Sequence, residues 1–299
     1  MVSINDATLL GDLMPNSTRP PLSRRAFTLA LTAVASAFAL PGRAFAADDL
    51  RVAFIPEAGA SPDQIAAKQP LIDMIAKATG RNVKLFVTTS YAATVEAIGN
   101  DGVDIAYLGG LTYVKAHEKY GVKPLVQRSE DKQYHSLFIT GNAAINSLKD
   151  LKGKTFAFGD INSTSGHLIP VKELLEAGID PSKDLKTNFT GNHPATAQAV
   201  ASGQADAGAI DEGIYKKLVA DKTIDPAKAR VFHTSKPFVD YVWVAAKSVD
   251  DKTAAAVGHA FEASASPELL KLLRATKYVK ADDKEYDGIR EVARREKLL

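Results

Sequence analysis

The chain has no cysteine among its 299 residues. That excludes disulfides, thiolate metal sites, iron–sulfur clusters and a cysteine nucleophile together. It identifies no compartment, because exported proteins of this size often manage without disulfides. Long hydrophobic runs are scarce as well. The apolar stretch from Ala26 to Leu40 falls short of the ~20 residues that a bilayer crossing needs. Catalytic signatures are also missing. There is no G-x-S-x-G, no H-E-x-x-H and no Walker-type phosphate loop, and the six histidines are scattered without metal-ligand spacing. These absences argue against an enzyme, and no residue pattern calls for a metal or a cofactor.

The short apolar stretch has a meaning of its own. It follows Ser23-Arg24-Arg25-Ala26-Phe27, a twin-arginine pattern, and ends before Ala44-Phe45-Ala46, a small-x-small cleavage site. Charged, apolar and cleavage regions in that order describe an export signal over residues 1–46 rather than an anchor. Removal is expected after about Ala46, by the twin-arginine or the general route. The signal carries Arg19, Arg24, Arg25 and Arg43 against Asp6 and Asp12. The formal charge of +2 therefore disappears with it. A mature chain near neutrality offers no electrostatic footprint for nucleic acid.

What remains has an ordinary globular composition, 45% hydrophobic and 24% charged. Strand patterns at Leu50–Ile55, Val83–Val87, Asp104–Leu108 and Lys123–Gln127 alternate with helical patterns: one opened by Ser61-Pro62-Asp63 and stopped by Gly80, then Tyr91–Ile98 and Leu111–Tyr120. A second α/β unit follows. Its strands are expected at Tyr134–Thr140, Thr155–Phe158, Lys186–Thr190, Ala205–Ile210 and Arg230–Thr234, and its helices at Ser163–Ala177, His193–Ser202 and Gly213–Ala220. A strand at Tyr241–Ala246 and three helical segments near 250–265, 267–275 and 284–297 complete the chain. The short connections Gln133–His135 and Phe238–Asp240 suit a pair of hinge strands. The last helices would then pack on the first lobe, and a ligand cleft would lie between lobes.

Chemistry concentrates in Gly159-Asp160-Ile161-Asn162-Ser163-Thr164-Ser165-Gly166, which follows a strand and opens a helix. Free backbone N–H groups and the positive end of the helix dipole gather there. Three consecutive hydroxyls add neutral donors, and Gly166 permits close approach. The run fits an anion cradle and equally an ordinary helix cap; Asp160 reads as a brace for the loop. His193, in Thr190-Gly191-Asn192-His193-Pro194, opens another helix, either as a donor to an anion or simply solvated. Tyr91, Tyr107 and Tyr134 stand near element ends, as pocket walls or as packing. Adjacent Asp211 and Glu212 point apart on a strand-to-helix turn, which suits no catalytic pair.

Taken in order, these segments resemble the phosphate/phosphite/phosphonate substrate-binding proteins of ABC importers, the phosphonate-binding branch of the type II periplasmic binding proteins. The resemblance covers residues about 50–275. It rests on Phe54-Ile55-Pro56-Glu57, Ser90-Tyr91-Ala92-Ala93, Val103–Gly109, Leu148–Asp160, Ser163-Thr164-Ser165-Gly166 with Ile169-Pro170, and Gly191-Asn192-His193. The serine-threonine-serine-glycine run after glycine-aspartate is its most specific part. It implies two α/β lobes, residues 47–135 with 240–299 and residues 136–239, closing on a small phosphorus oxyanion in the periplasm for an inner-membrane permease. It implies a monomer with no stable membrane insertion. Ser163, Thr164, Ser165 and His193 would bind the oxyanion, Tyr91 and Tyr134 would contact its oxygens, and Tyr107 would line the pocket. Asp211 and Asp240 would face the ligand's substituent. One departure narrows the ligand. Where aminoalkylphosphonate binders carry an acidic residue, this chain has Gly213, beside Glu212, which favours a small anion without an amine. Binders of other small anions such as sulfonates share the architecture, and a periplasmic sensor partner would show the same site.

Overall fold

Strand β1 (Asp49–Phe54) begins with alternating burial and ends fully buried, as a strand entering the middle of a covered sheet must. It opens a computed structural model that describes residues 49–59 and 62–299; the expected export signal and the capping Ser61 lie outside them. Helices α1 (Pro62–Ala66) and α2 (Gln69–Thr79) follow. One helix was expected here. The chain breaks it ahead of Pro70, which occupies the start of α2, where its missing N–H costs nothing. Gly80 ends α2 at φ +68°, a left-handed cap that glycine adopts without strain. Then come β2 (Asn82–Val87), α3 (Tyr91–Gly99), β3 (Ile105–Leu108), α4 (Gly110–Tyr120) and β4 (Lys123–Arg128).

The chain now enters a second sheet with β5 (Ser136–Thr140), β6 (Thr155–Phe158), α5 (Ile169–Glu176), α6 (Pro181–Asp184), β7 (Lys186–Phe189), α7 (His193–Ala201), β8 (Ala207–Asp211), α8 (Glu212–Ala220) and β9 (Arg230–Thr234). It returns through β10 (Val242–Ala245), α9 (Asp251–Glu262), α10 (Pro267–Leu272), β11 (Tyr278–Lys280) and α11 (Asp287–Arg295). The first sheet has the order β11-β4-β10-β3-β1-β2 and the second β7-β6-β8-β5-β9. β1 pairs in parallel with β2 and β3, and β6 with β7 and β8; β10 and β5 run antiparallel to their neighbours. The second sheet carries separate apolar clusters, one including Ile139, Val200 and Ile210, the other Phe138, Phe156 and Phe158.

The two passages between sheets touch. Tyr134 N donates to Phe238 O at 2.8 Å and Phe238 N to Tyr134 O at 3.0 Å. The strand expected from Tyr134 consequently begins at Ser136, and Tyr134 belongs to the crossing. Two further differences bear on the site. The helix expected over Ser163–Ala177 is a π-helical turn, Thr164–Leu168, followed by α5 with Pro170 in its first turn. Such wide turns occur often at functional sites. β11 lies where only helices were expected; three residues are too few to display a period.

Candidate functional site

The turn after β6 holds the hydroxyl run, and its side chains divide their work. Asp160 Oδ1 accepts from Asn162 N at 2.7 Å, bracing the loop. Ser163 Oγ accepts from Gly166 N at 3.0 Å as the cap of the π-turn. Thr164 Oγ1 accepts from Leu111 N at 3.0 Å, across to the start of α4, and bonds the Asp240 carboxyl. Ser165 is held from behind, where its carbonyl accepts from Ser136 Oγ at 2.6 Å. Its own hydroxyl is buried without a partner.

His193 is pressed onto this turn. A Cβ on Gly166 would stand 3.0 Å from His193 Cε1 and 2.9 Å from Ser163 Oγ, so only glycine lets imidazole and loop meet. The ring's state follows from its bonds. Asp211 N donates to Nδ1 at 3.3 Å, which leaves the hydrogen of a neutral ring on Nε2. Burial lowers the pKa of His193, against the pull of Asp211 and Glu57, and keeps the ring neutral. Nε2–H is therefore a buried donor with no partner. The backbone N of His193 donates to Glu57 O at 3.2 Å, another link between sheets.

Tyr91 opens α3, capped by Ser90 Oγ accepting from Ala93 N at 3.1 Å. Its phenol is 1% exposed and its hydroxyl unpartnered. Burial first, then the charges of Glu57, Asp160, Asp211 and Asp240, push its pKa up, so it is a neutral donor. Asp211 ends β8 and caps α8: Oδ1 accepts from Ile214 N at 2.6 Å and from Tyr134 Oη at 2.9 Å. Burial would raise its pKa, but Arg274, Ile214 N–H and Arg128 prevail and lower it. Asp240 Oδ1 accepts from Gly110 N at 2.9 Å. Burial raises its pKa well above the ordinary carboxyl range, the more so because Asp211 and Asp131 are near. Asp211 Oδ2 and Asp240 Oδ2 are both buried and unpartnered.

Ser165, His193, Tyr91, Asp211 and Asp240 thus each keep a buried polar atom without a partner. Ser163 and Thr164 spend theirs on the frame, and Tyr134 Oη lies between Asp211 and Gly213 N, from which it accepts at 3.0 Å. Tyr107 packs among aromatic rings. It stacks on Tyr241 at 5.1 Å and lines a cavity of about 360 Å³ with Phe54, Trp243, Glu57 and Arg274.

Glu57 and Arg274 were not anticipated as site residues. Arg274 Nη2 meets Glu57 Oε1 at 2.5 Å, the two side chains 21% and 8% exposed. Burial would depress the guanidinium, but Glu57 and Asp211 raise its pKa, so it stays charged. Its backbone has φ +55°, a conformation uncommon outside glycine. Glu57 had a readable signal, since it lies just beyond the carboxyl end of β1, where α/β sheets place ligands. Arg274 follows α10 with no local mark.

Among the described residues no group could hold a metal ion, and no helix is long and apolar enough to cross a membrane. The chain is 29% identical over 268 residues to the probable ABC transporter phosphite binding protein PhnD1 of Prochlorococcus marinus, covering 79% of this chain and 88% of that protein. The structure of that PhnD1 with methylphosphonate superposes with a TM-score of 0.78 at 27% identity, over 84% of this chain and 99% of that one. A binding protein component of an ABC phosphonate transporter from Pseudomonas aeruginosa superposes with a TM-score of 0.74 at 25% identity, over 82% and 85% of the two chains. Residues 53–286, which carry every strand but most of β1 and every site residue above, match the model of one family, and the chain belongs to it: the ABC transporter, phosphonate, periplasmic substrate-binding proteins.

Proposed function

We propose that the protein captures a small phosphorus oxyanion, a phosphonate, phosphite or phosphate, in the periplasm and presents it to an ABC permease, without catalysing any reaction. Export with removal of residues 1–46, and two lobes formed by residues 47–135 with 240–299 and by 136–239, belong to the same reading. The observation that carries it is that three neutral donors, Ser165 Oγ, His193 Nε2 and Tyr91 Oη, are buried without partners at helix starts, which favour negative charge. Hydrogen bonds to a charged ligand in such a dry site are strong. The similarity to proteins that bear phosphite and phosphonate names points the same way.

The structure also bears on the substituent. A Cβ on Gly213 would lie 2.5 Å from Tyr134 Oη, so this arrangement leaves no room for an acidic side chain there. Glu212 turns outward to His135 N at 3.1 Å and Lys216 Nζ at 2.8 Å. Both contacts support a ligand without an amine at that position. Calorimetric titration of the exported protein with phosphite, methylphosphonate, phosphate and sulfate tests the reading, and binding of no phosphorus anion below the millimolar range would sink it. Ser165→Ala should weaken the best ligand about 10- to 100-fold, the worth of one hydrogen bond to a charged group.

A further inference from the structure

The unpartnered atoms of the site are not all donors. Asp211 Oδ1 is occupied by Ile214 N and Tyr134 Oη, while Asp211 Oδ2 is a buried acceptor with nothing to accept. A carboxylate oxygen facing an anion is repelled at close range, unless the anion brings a hydrogen of its own. We propose that Asp211 Oδ2 reads a proton on the ligand, so that the site takes monoprotonated phosphorus oxyanions, such as hydrogen phosphite or a hydrogen alkylphosphonate, and rejects anions of like shape without a proton, such as sulfonates. This rests on the phosphorus-oxyanion reading above.

The surroundings of Asp211 support an ionised acceptor. Arg274 and Arg128 supply the positive charge near it, with the N–H of Ile214 on α8. Asp131 opposes them. The phenols of Tyr134, Tyr91 and Tyr241 lie within its field and are kept neutral by burial. Asp240 plays the other part. Gly110 N and the Thr164 hydroxyl engage its carboxyl. Burial holds it uncharged, which makes Oδ2–H a further donor. Glu57 also has a free Oε2, but its charge is matched by Arg274 at 2.5 Å. The balance is a set of donors and one charged acceptor, which a singly protonated monoanion satisfies and a sulfonate does not.

The test is calorimetry of the exported protein and of Asp211→Asn with methylphosphonate, its monomethyl ester, methanesulfonate and 2-aminoethylphosphonate. The ester and the sulfonate are monoanions without a proton, and wild type should bind both at least 100-fold more weakly than methylphosphonate. Methylphosphonate affinity should fall about tenfold per pH unit above the ligand's second ionisation. Asp211→Asn keeps an oxygen for the α8 cap and places an amide donor at Oδ2, so methanesulfonate should bind it at least tenfold tighter than wild type. Equal wild-type affinity for methylphosphonate and methanesulfonate overturns the proton reading and leaves the oxyanion site standing. So does a strong wild-type preference for 2-aminoethylphosphonate that Asp211→Asn abolishes, because Oδ2 would then be taking an ammonium. If no phosphorus anion binds wild type, the parent reading fails and this one with it. Should the variant not fold, the wild-type ligand ratios and pH slope decide alone.

Discussion

His193 shows how one buried ring couples the site to the medium. Its pKa is lowered in the folded chain, mainly by burial, whereas an unfolded histidine titrates near ~6.5. Between those two values the unfolded state binds more protons, so stability is complete above about pH 6.5 and declines as pH falls toward the folded pKa. His167, enclosed by Phe158 and Phe189, is lowered for the same reason and adds to the decline. Each can contribute a slope of up to about 1.4 kcal/mol per pH unit. His193→Gln offers Asp211 N an amide oxygen without a titrating group. Its urea midpoint should fall less than wild type's between pH 7 and pH 5, with the His167 share remaining. An unchanged slope would mean that His193 is not titrating in this range.

At the scale of elements, the turn at Thr164–Leu168 joins the two halves. Thr164 Oγ1 accepts from Leu111 N, Lys115 Nζ reaches Asn162 Oδ1 at 2.7 Å, and His193 N reaches Glu57 O. Thr164→Val keeps the shape and removes the acceptor, leaving an N–H unsatisfied when the halves are together. Such a loss costs about 1–3 kcal/mol. If the free protein opens, that cost falls on the closed form, and ligand affinity should drop about 10- to 100-fold by calorimetry while the urea midpoint of the ligand-free protein moves little. A drop in the midpoint as large as that in affinity would show that Thr164 serves folding alone. The elements were mostly legible in the sequence because period survives in strands such as β1 and caps are written in single residues such as Gly80. The π-turn was not, since its hydroxyls and Pro170 fit an α-helix start equally well. Ser165, His193 and Tyr91 were legible as residue types at helix starts. Their division from Ser163 and Thr164, whose hydroxyls serve the frame, depends on partners such as Leu111, which only folding brings near. The Glu57–Arg274 pair spans 217 positions, and nothing local announces it.

For the whole molecule, the crossing segments set what can move. Arg128 and Asp131 form a buried pair at 2.6 Å. The guanidinium lies 5.4 Å from the Tyr134 ring centre and 5.2 Å from that of Tyr241, and Asp240 N donates to Asp131 O at 2.9 Å. Both crossings are thus tied to the first sheet, so any opening of the proposed cleft would swing the second sheet. A ligand held between the halves should then do two things at once. It should stabilise the fold by about 2.7 kcal/mol at a concentration of 100 times Kd, equivalent to a rise of roughly 5–10 °C in Tm for a chain of this size. It should also reduce the radius of gyration in solution scattering, because closing the cleft draws mass inward. Methylphosphonate is the ligand to use. A rise in Tm with no contraction would mean that the anion enters a rigid pocket and that the links at Thr164, Asn162 and Glu57 persist without it. Contraction with the predicted rise in Tm would assign those links to the bound state, which is what a carrier needs if the permease is to tell loaded protein from empty.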